Sequence, residues 1–287
     1  MTSNSSITAT LALNQLAAEA RGDGVYGYWL LDQSSLPQGA WLKRLVGQGR
    51  WVDVLSGPSE TTFNGATPVL VTASGACATP HFVEALHRTA RFANSVSLID
   101  SELELDELQV VLCQNARVEL PEAFEAVLRY FDSRTLPLLP QLFYPRQYAA
   151  FMRSISRWTY LDRWGQPQLM PSAERSFQEL SVGSVRLVLD EKQEAQLIDD
   201  GLTDAVIDLL LTQHHPALSE LAPPEQFDVV APLVQTAKDA GFAEPPQAFA
   251  FVATALEHGV GFDQREPWSS RLTQYRAQQC SLEAVFA

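Results

Sequence analysis

The sequence predicts an α/β lobe of mixed α+β character over residues 24–185, followed by a smaller all-α lobe over 190–287. Three observations carry this. Short aromatic and β-branched runs alternate with helical patterns from Val25 to Met170. From Asp190 onward such runs vanish, and Ala, Leu, Glu, Gln and Asp dominate. The charge divides at the same place: residues 1–190 carry 15 Lys+Arg against 19 Asp+Glu, and residues 191–287 carry 5 against 15, so the two parts hold −4 and −10 of the total −14.

The elements follow in order. Leu11, Leu13 and Leu16 mark a short helix within 7–20. Val25 to Asp32 (VYGYWLLD) is a buried strand bounded by Gly24 and Ser34-Ser35. Ser35 is the expected N-cap of a helix carrying Leu36, Trp41, Leu42, Leu45 and Val46. Trp51–Leu55 and Pro68–Thr72 are strands. Thr79-Pro80 opens a helix with proline at its first position, and Phe82, Ala85, Leu86 and Ala90 form its stripe. Val96–Ile99 is a strand. Ser101 and Glu104 read as a capping box before Leu105, Leu108, Val111 and Leu112. Phe124–Phe131 is expected as one strand running straight into an Asp132-x-Arg134 turn and then a leucine-rich helix. A helix over Tyr144–Ile155, a hairpin of 158–163 with 166–170 around Gly165-Gln166, and an extended link over 178–189 complete the lobe.

In the second lobe helices are expected at 190–199, 202–213, 224–240, 245–259 and 268–285. Pro216, Pro223-Pro224, Pro245-Pro246 and Pro267 punctuate them. Trp268, Leu272, Tyr275, Leu282, Val285 and Phe286 recur close to one helical face. That stripe is either packed in the bundle or offered to a partner helix.

Composition narrows the function. Apolar residues make up 46% of the 287 and charged residues 19%, which argues for real cores and against disorder. An acidic chain repels phosphate backbones, so no nucleic-acid partner is expected. Cys77, Cys113 and Cys280 are odd in number, widely spaced and outside any CxxC, which fits a reducing compartment. No run reaches 18 apolar residues and no basic leader precedes an apolar core, so a cytoplasmic protein without membrane partner is expected.

Candidate chemistry is sparse. Cys77 and His81 lie four residues apart near a helix start, where a thiol can be activated for a thiol-dependent hydrolase or transferase. A tight loop of small residues explains the same stretch. His214 and His215 are adjacent and point in different directions, so helix-end complement is favoured over metal binding. Asp100, Glu102, Glu104, Asp106 and Glu107 lack the spacing of a calcium loop and read as a solvated first turn. No GxGxxG, GxxxxGK[ST] or GxSxG occurs. No cofactor, no metal and no catalytic set is therefore expected. Arg146, Arg153, Arg157 and Arg163, interleaved with Tyr144, Tyr148, Phe151, Trp158, Tyr160 and Trp164, have the residue types of a protein-interface hot spot.

The order of features then becomes specific. A strand ending Leu30-Leu31-Asp32, then Trp51-Val52-Asp53-Val54-Leu55, then Pro68-Val69-Leu70-Val71, then Arg129-Tyr130-Phe131-Asp132-Ser133-Arg134 resembles the type VI secretion effector chaperones, or adaptors, long catalogued as a domain of unknown function. The resemblance covers about residues 25–170, and the helical region after Asp190, with Phe262-Asp263 and Pro267-Trp268, looks like the lobe that accompanies this domain. The family usually has proline where Ser133 stands. The resemblance implies a non-enzymatic cytoplasmic protein whose partners are a secreted effector and the trimeric spike protein of the secretion machine. Asp132, Arg134, Arg146, Arg153, Arg157, Trp158, Trp268, Leu272 and Tyr275 are the expected partner-binding residues. Asp132 and Arg134 are expected to hold the turn first and to meet a partner second.

Overall fold

Residues 14, 21–34, 49–56, 67–90, 94–173 and 186–286 are described by the computed structural model. The expected helices at 7–20 and after Ser35 lie outside the described residues, Asn14 apart, as does most of the link over 178–189. The chain divides into two compact units, Met1–Ala195 and Gln196–Ala287. The first is mixed α+β and the second all-helical, as the periodicities imply.

The first unit is built on β1 (Tyr26–Asp32), β2 (Trp51–Asp53), β3 (Pro68–Thr72), β4 (Val96–Ser101), β7 (Arg157–Leu161) and β8 (Pro167–Leu169). They form one sheet in the order β2-β3-β1-β4-β7-β8, and every neighbouring pair is antiparallel. β4 is buried along its whole length and β1 from Tyr28 to Asp32, because the two strands are central in the sheet. Side chains alternate across a strand. Trp29, Leu31, Val69, Val71, Val96 and Leu98 therefore share one face, and they pack with Phe82, Val83 and Leu86 of α1 (Pro80–Ala90). Thr79 caps that helix by accepting the Phe82 N–H. Tyr28, Leu30, Leu70, Ile99 and Trp158 occupy the other face and are fully buried.

Three local expectations are corrected here. α2 (Leu105–Asn115) is capped by Glu104 and Glu107, not by Ser101. Ser101 is the last residue of β4, and its hydroxyl donates to the Ser154 carbonyl and accepts the Leu103 N–H. The expected strand 124–131 stops at Val127. β6 (Phe124–Val127) instead pairs with β5 (Arg117–Leu120), which also pairs in parallel with β9 (Leu187–Val188) in a separate three-stranded sheet. Leu128, Tyr130 and Phe131 then leave the strand for the core. A continuous apolar run does not reveal where it changes environment. Finally, the leucine-rich stretch after Arg134 is a 3-10 turn, Leu136–Leu138, and the four-residue α3 (Leu139–Leu142). Pro137 and Pro140 lack the amide donors a long helix needs. α4 (Pro145–Met152) follows as expected.

The helical unit contains most of α5 (Glu191–Thr212), then α6 (Pro216–Ser219), α7 (Pro223–Asp239), α8 (Pro245–His258), α9 (Trp268–Arg276) and α10 (Leu282–Phe286). α5 runs unbroken through Gly201, where two helices were expected. The expected 268–285 helix is two pieces. Gln278 adopts φ +58, and the Gln278 and Gln279 amides close α9 on the Tyr275 and Gln274 carbonyls. Leu202, Val206, Leu210, Val230, Val234, Phe251, Val252, Phe262, Leu272 and Val285 form a core of this unit. Among the described residues no helix is long and apolar enough to cross a membrane.

Candidate functional site

At one end of the main sheet three chain segments meet. The Asp32 amide donates to the Ser95 carbonyl, and the Ser133 amide donates to the Asn94 carbonyl. The segment 129–134 is thereby laid across the end of β1 and the entry to β4. Its anchor is Tyr130, fully buried, whose hydroxyl donates to the Leu112 carbonyl and whose ring meets Phe131, Phe151 and Trp158 edge-on at 5.5–5.6 Å.

Two buried aspartates at this corner each hold an arginine. Asp32 accepts the Ser34 amide and hydroxyl on Oδ1 and Arg129 Nη2 on Oδ2 at 2.7 Å. The same Nη2 donates to Ser34 Oγ, and the guanidinium carbon stands 5.4 Å from the Phe131 ring centroid. Asp132 accepts the Arg134 amide and both Nε and Nη2 of its side chain, at 2.7 Å for the shortest. Its carbonyl takes the Thr135 and Leu136 amides. Asp132 therefore makes the turn, as expected, although no helix starts on it. Both carboxylates are buried, while the Arg129 and Arg134 side chains remain 47% and 28% exposed. The corner presents two guanidinium groups with fixed geometry. That suits recognition of a protein surface better than proton transfer, because the carboxylates are already engaged.

The other expected site residues fall elsewhere. Arg157 Nε binds Asp100 at 2.6 Å, and Arg21 Nε binds the other oxygen at 2.7 Å, so Arg157 serves the opposite end of the sheet. Arg21 lies directly over Gly27, where a Cβ would come within 2.4 Å of its guanidinium. Trp158 is a core residue stacked on Phe151, with centroids 5.6 Å apart, and not a surface one. Of the expected arginine and aromatic surface, Arg146, Tyr144 and Trp164 are exposed, Arg153 and Arg163 are half-buried, and Phe151, Tyr148 and Tyr160 are buried. In the helical unit Leu272 is buried, Tyr275 stacks on Phe242 at 5.5 Å and Trp268 meets Phe262 edge-on at 5.7 Å. The C-terminal stripe thus packs in its own unit.

Cys77 is fully buried in a 3-10 turn, its carbonyl accepts the Trp29 indole N–H, and burial pushes its thiol up from the ordinary value. His81 is exposed. A buried, less acidic thiol is the reverse of an activated nucleophile. His215 caps α6 by accepting the Ala217 amide, so it serves the start of the next helix, not the end of α5. Asp100 separates from the acidic run as a buried ion-pair partner, whereas Glu102, Glu104, Asp106 and Glu107 are exposed. Among the described residues no group of three His, Cys, Asp or Glu could hold a metal ion.

Sequence reasoning missed the pairing of Asp32 with Arg129. A signal existed: an acid closing an otherwise apolar strand is buried only if it finds a partner. The arginine lies 97 residues away, and no local pattern names it.

Most of this corner lies within residues 27–150, which match the family model described as a domain of unknown function (DUF4123). No curated protein matches the chain, and no solved structure does.

Proposed function

We propose that the chain is a cytoplasmic chaperone, or adaptor, that binds a type VI secretion effector and helps load it onto the trimeric spike protein. The observation that carries this reading is the match of residues 27–150 to a family commonly associated with effector adaptors. The Asp32–Arg129 and Asp132–Arg134 corner supports it, because rigidly held arginines at a surface are typical interface anchors. Three free cysteines fit a reducing compartment. The burial of Cys77 weighs against the rival reading of a thiol-dependent hydrolase or transferase acting with His81.

The test is affinity capture of the full chain from the cell that makes it, with mass spectrometry of what is retained. An effector encoded beside a spike protein is the expected result. Arg129→Ala and Arg134→Ala, checked for intact melting, should each lower its recovery. Capture of no effector under native expression would remove the reading.

A further inference from the structure

We infer that α5 carries a docking face for a basic, amphipathic helix of a partner protein; that the partner is a protein rests on the adaptor reading. Ile198 and Leu209 are 58% and 37% exposed. They stand eleven residues apart, three turns of helix, and therefore on the same side. Gly201 and Ala205 lie between them on that side, each half-buried. Gly201 sits inside a long helix with an ordinary helical backbone, and a Cβ there would meet nothing within 4 Å. Glycine inside a helix is unfavourable relative to alanine. Among the described residues neither a left-handed turn nor a close neighbour accounts for it. A second helix crossing at Gly201 does, because the absent side chain lets the two backbones approach while Ile198 and Leu209 close on either flank.

Charge selects the occupant. Residues 196–287 hold 13 Asp+Glu against 4 Lys+Arg, a net −9. Of those four cations, Lys238 pairs with Asp199 at 2.5 Å. Arg265 reaches the His258 and Gly259 carbonyls, Arg271 the Val285 carbonyl and Arg276 the Ala240 carbonyl. Three of the four thus reach helix-end carbonyls, where they complement the dipole, and the unit keeps its large negative field. A second copy would bring −9 against −9 across this face and is disfavoured. A helix whose apolar stripe is flanked by Lys or Arg is drawn to it, with an association that weakens as salt rises.

The experiment uses the full chain and a labelled synthetic helix of about 20 residues, long enough to hold a helical stripe, with Ala and Leu on one face and Lys flanking it. A copy with Glu in place of Lys is the control. Anisotropy should show binding of the Lys peptide and not of the Glu peptide. Gly201→Ala should raise the melting temperature by about 2 °C, since it removes the helix penalty, and still weaken peptide binding. Gly201→Leu should leave the helical circular dichroism intact and weaken binding roughly tenfold or more, as loss of a central interface position does. Failure of the Lys peptide to bind, equal binding of the Glu peptide, or indifference to Gly201→Leu would each overturn the inference. So would a dimer in sedimentation that Gly201→Leu dissociates, since the occupant would then be a second copy. No effector takes part in this measurement, so failure of the adaptor reading leaves its outcome separately legible.

Discussion

Asp132 makes its turn through four hydrogen bonds on one buried carboxylate, and all four come from Arg134, through its amide, Nε and Nη2. Asp132→Ala is expected to cost about 1–3 kcal/mol in urea unfolding, the range for losing a buried, charge-assisted acceptor. If melting is unchanged and partner recovery is abolished, the residue serves recognition first and the order given above is reversed. Cys77 and the buried tyrosines make a second measurement at this level. Burial raises Cys77 above its ordinary 9.0 and pushes Tyr28 and Tyr148 from 10.0 up to about 12. For a group with a raised folded value, the stabilisation is complete below the unfolded pKa and disappears as pH climbs to the folded one. Chemical denaturation should therefore show this contribution intact to pH 9.0 and lost progressively towards about 12. Thiol labelling of native Cys77 should be slow throughout the neutral range. Rapid labelling with a depressed pKa would revive the enzyme reading.

Elements in this chain are set by periodicity and by proline, and their ends by contacts the periodicity does not contain. β3, α1, α4, α7 and α8 begin where Pro68, Pro80, Pro145, Pro223 and Pro245 stand, so their starts were legible. The cap of α2 was not. Ser101 has the right chemistry, but β4 retains it through pairing with Tyr26 and through the Ser154 carbonyl. Ser101→Ala should cost about 1–3 kcal/mol, as loss of a buried hydroxyl does. Glu104→Ala should cost about 0.5–1 kcal/mol, the loss of an exposed cap. Urea midpoints of the two variants compare them directly, and the reverse order would contradict this assignment. Trp158 fits the same pattern. Arg157 precedes it, and Arg153 and Arg163 lie five residues to either side, which suggests a surface, but its strand places it between Tyr130 and Phe151. Trp158→Ala should cost about 3–5 kcal/mol, the range for emptying an aromatic core site, with a matching loss of near-ultraviolet dichroism.

The two units have cores of their own, one on the α1 face of the main sheet and one among α5 to α10. Removing residues 268–287 deletes Leu272 and Val285 from the second core and takes the stacking partner from Phe242. The truncated chain is expected to lose the cooperative folding of its helical unit, while the sheet of the first unit persists. Limited proteolysis with circular dichroism checks this. A truncated chain whose helical unit resists protease would show that α9 and α10 are accessory. The same burial bears on the proposed partner: the stripe from Trp268 to Phe286 packs within its unit, so the exposed Ile198 and Leu209 of α5 are the better candidates for contact in that part of the chain.

Fold class, the change from strands to helices at Asp190, the proline-led starts and the acid excess of the second unit were all present in the residues. Each depends on neighbours within a few positions or on a simple sum. The antiparallel strand order, the division of 124–131 between a small sheet and the core, and the pairing of Asp32 with Arg129 were settled by folding. These depend on which distant segments share a face, and no local periodicity encodes that. A buried aspartate announces that it needs a cation, and only the packed sheet end brings Arg129 within reach of it.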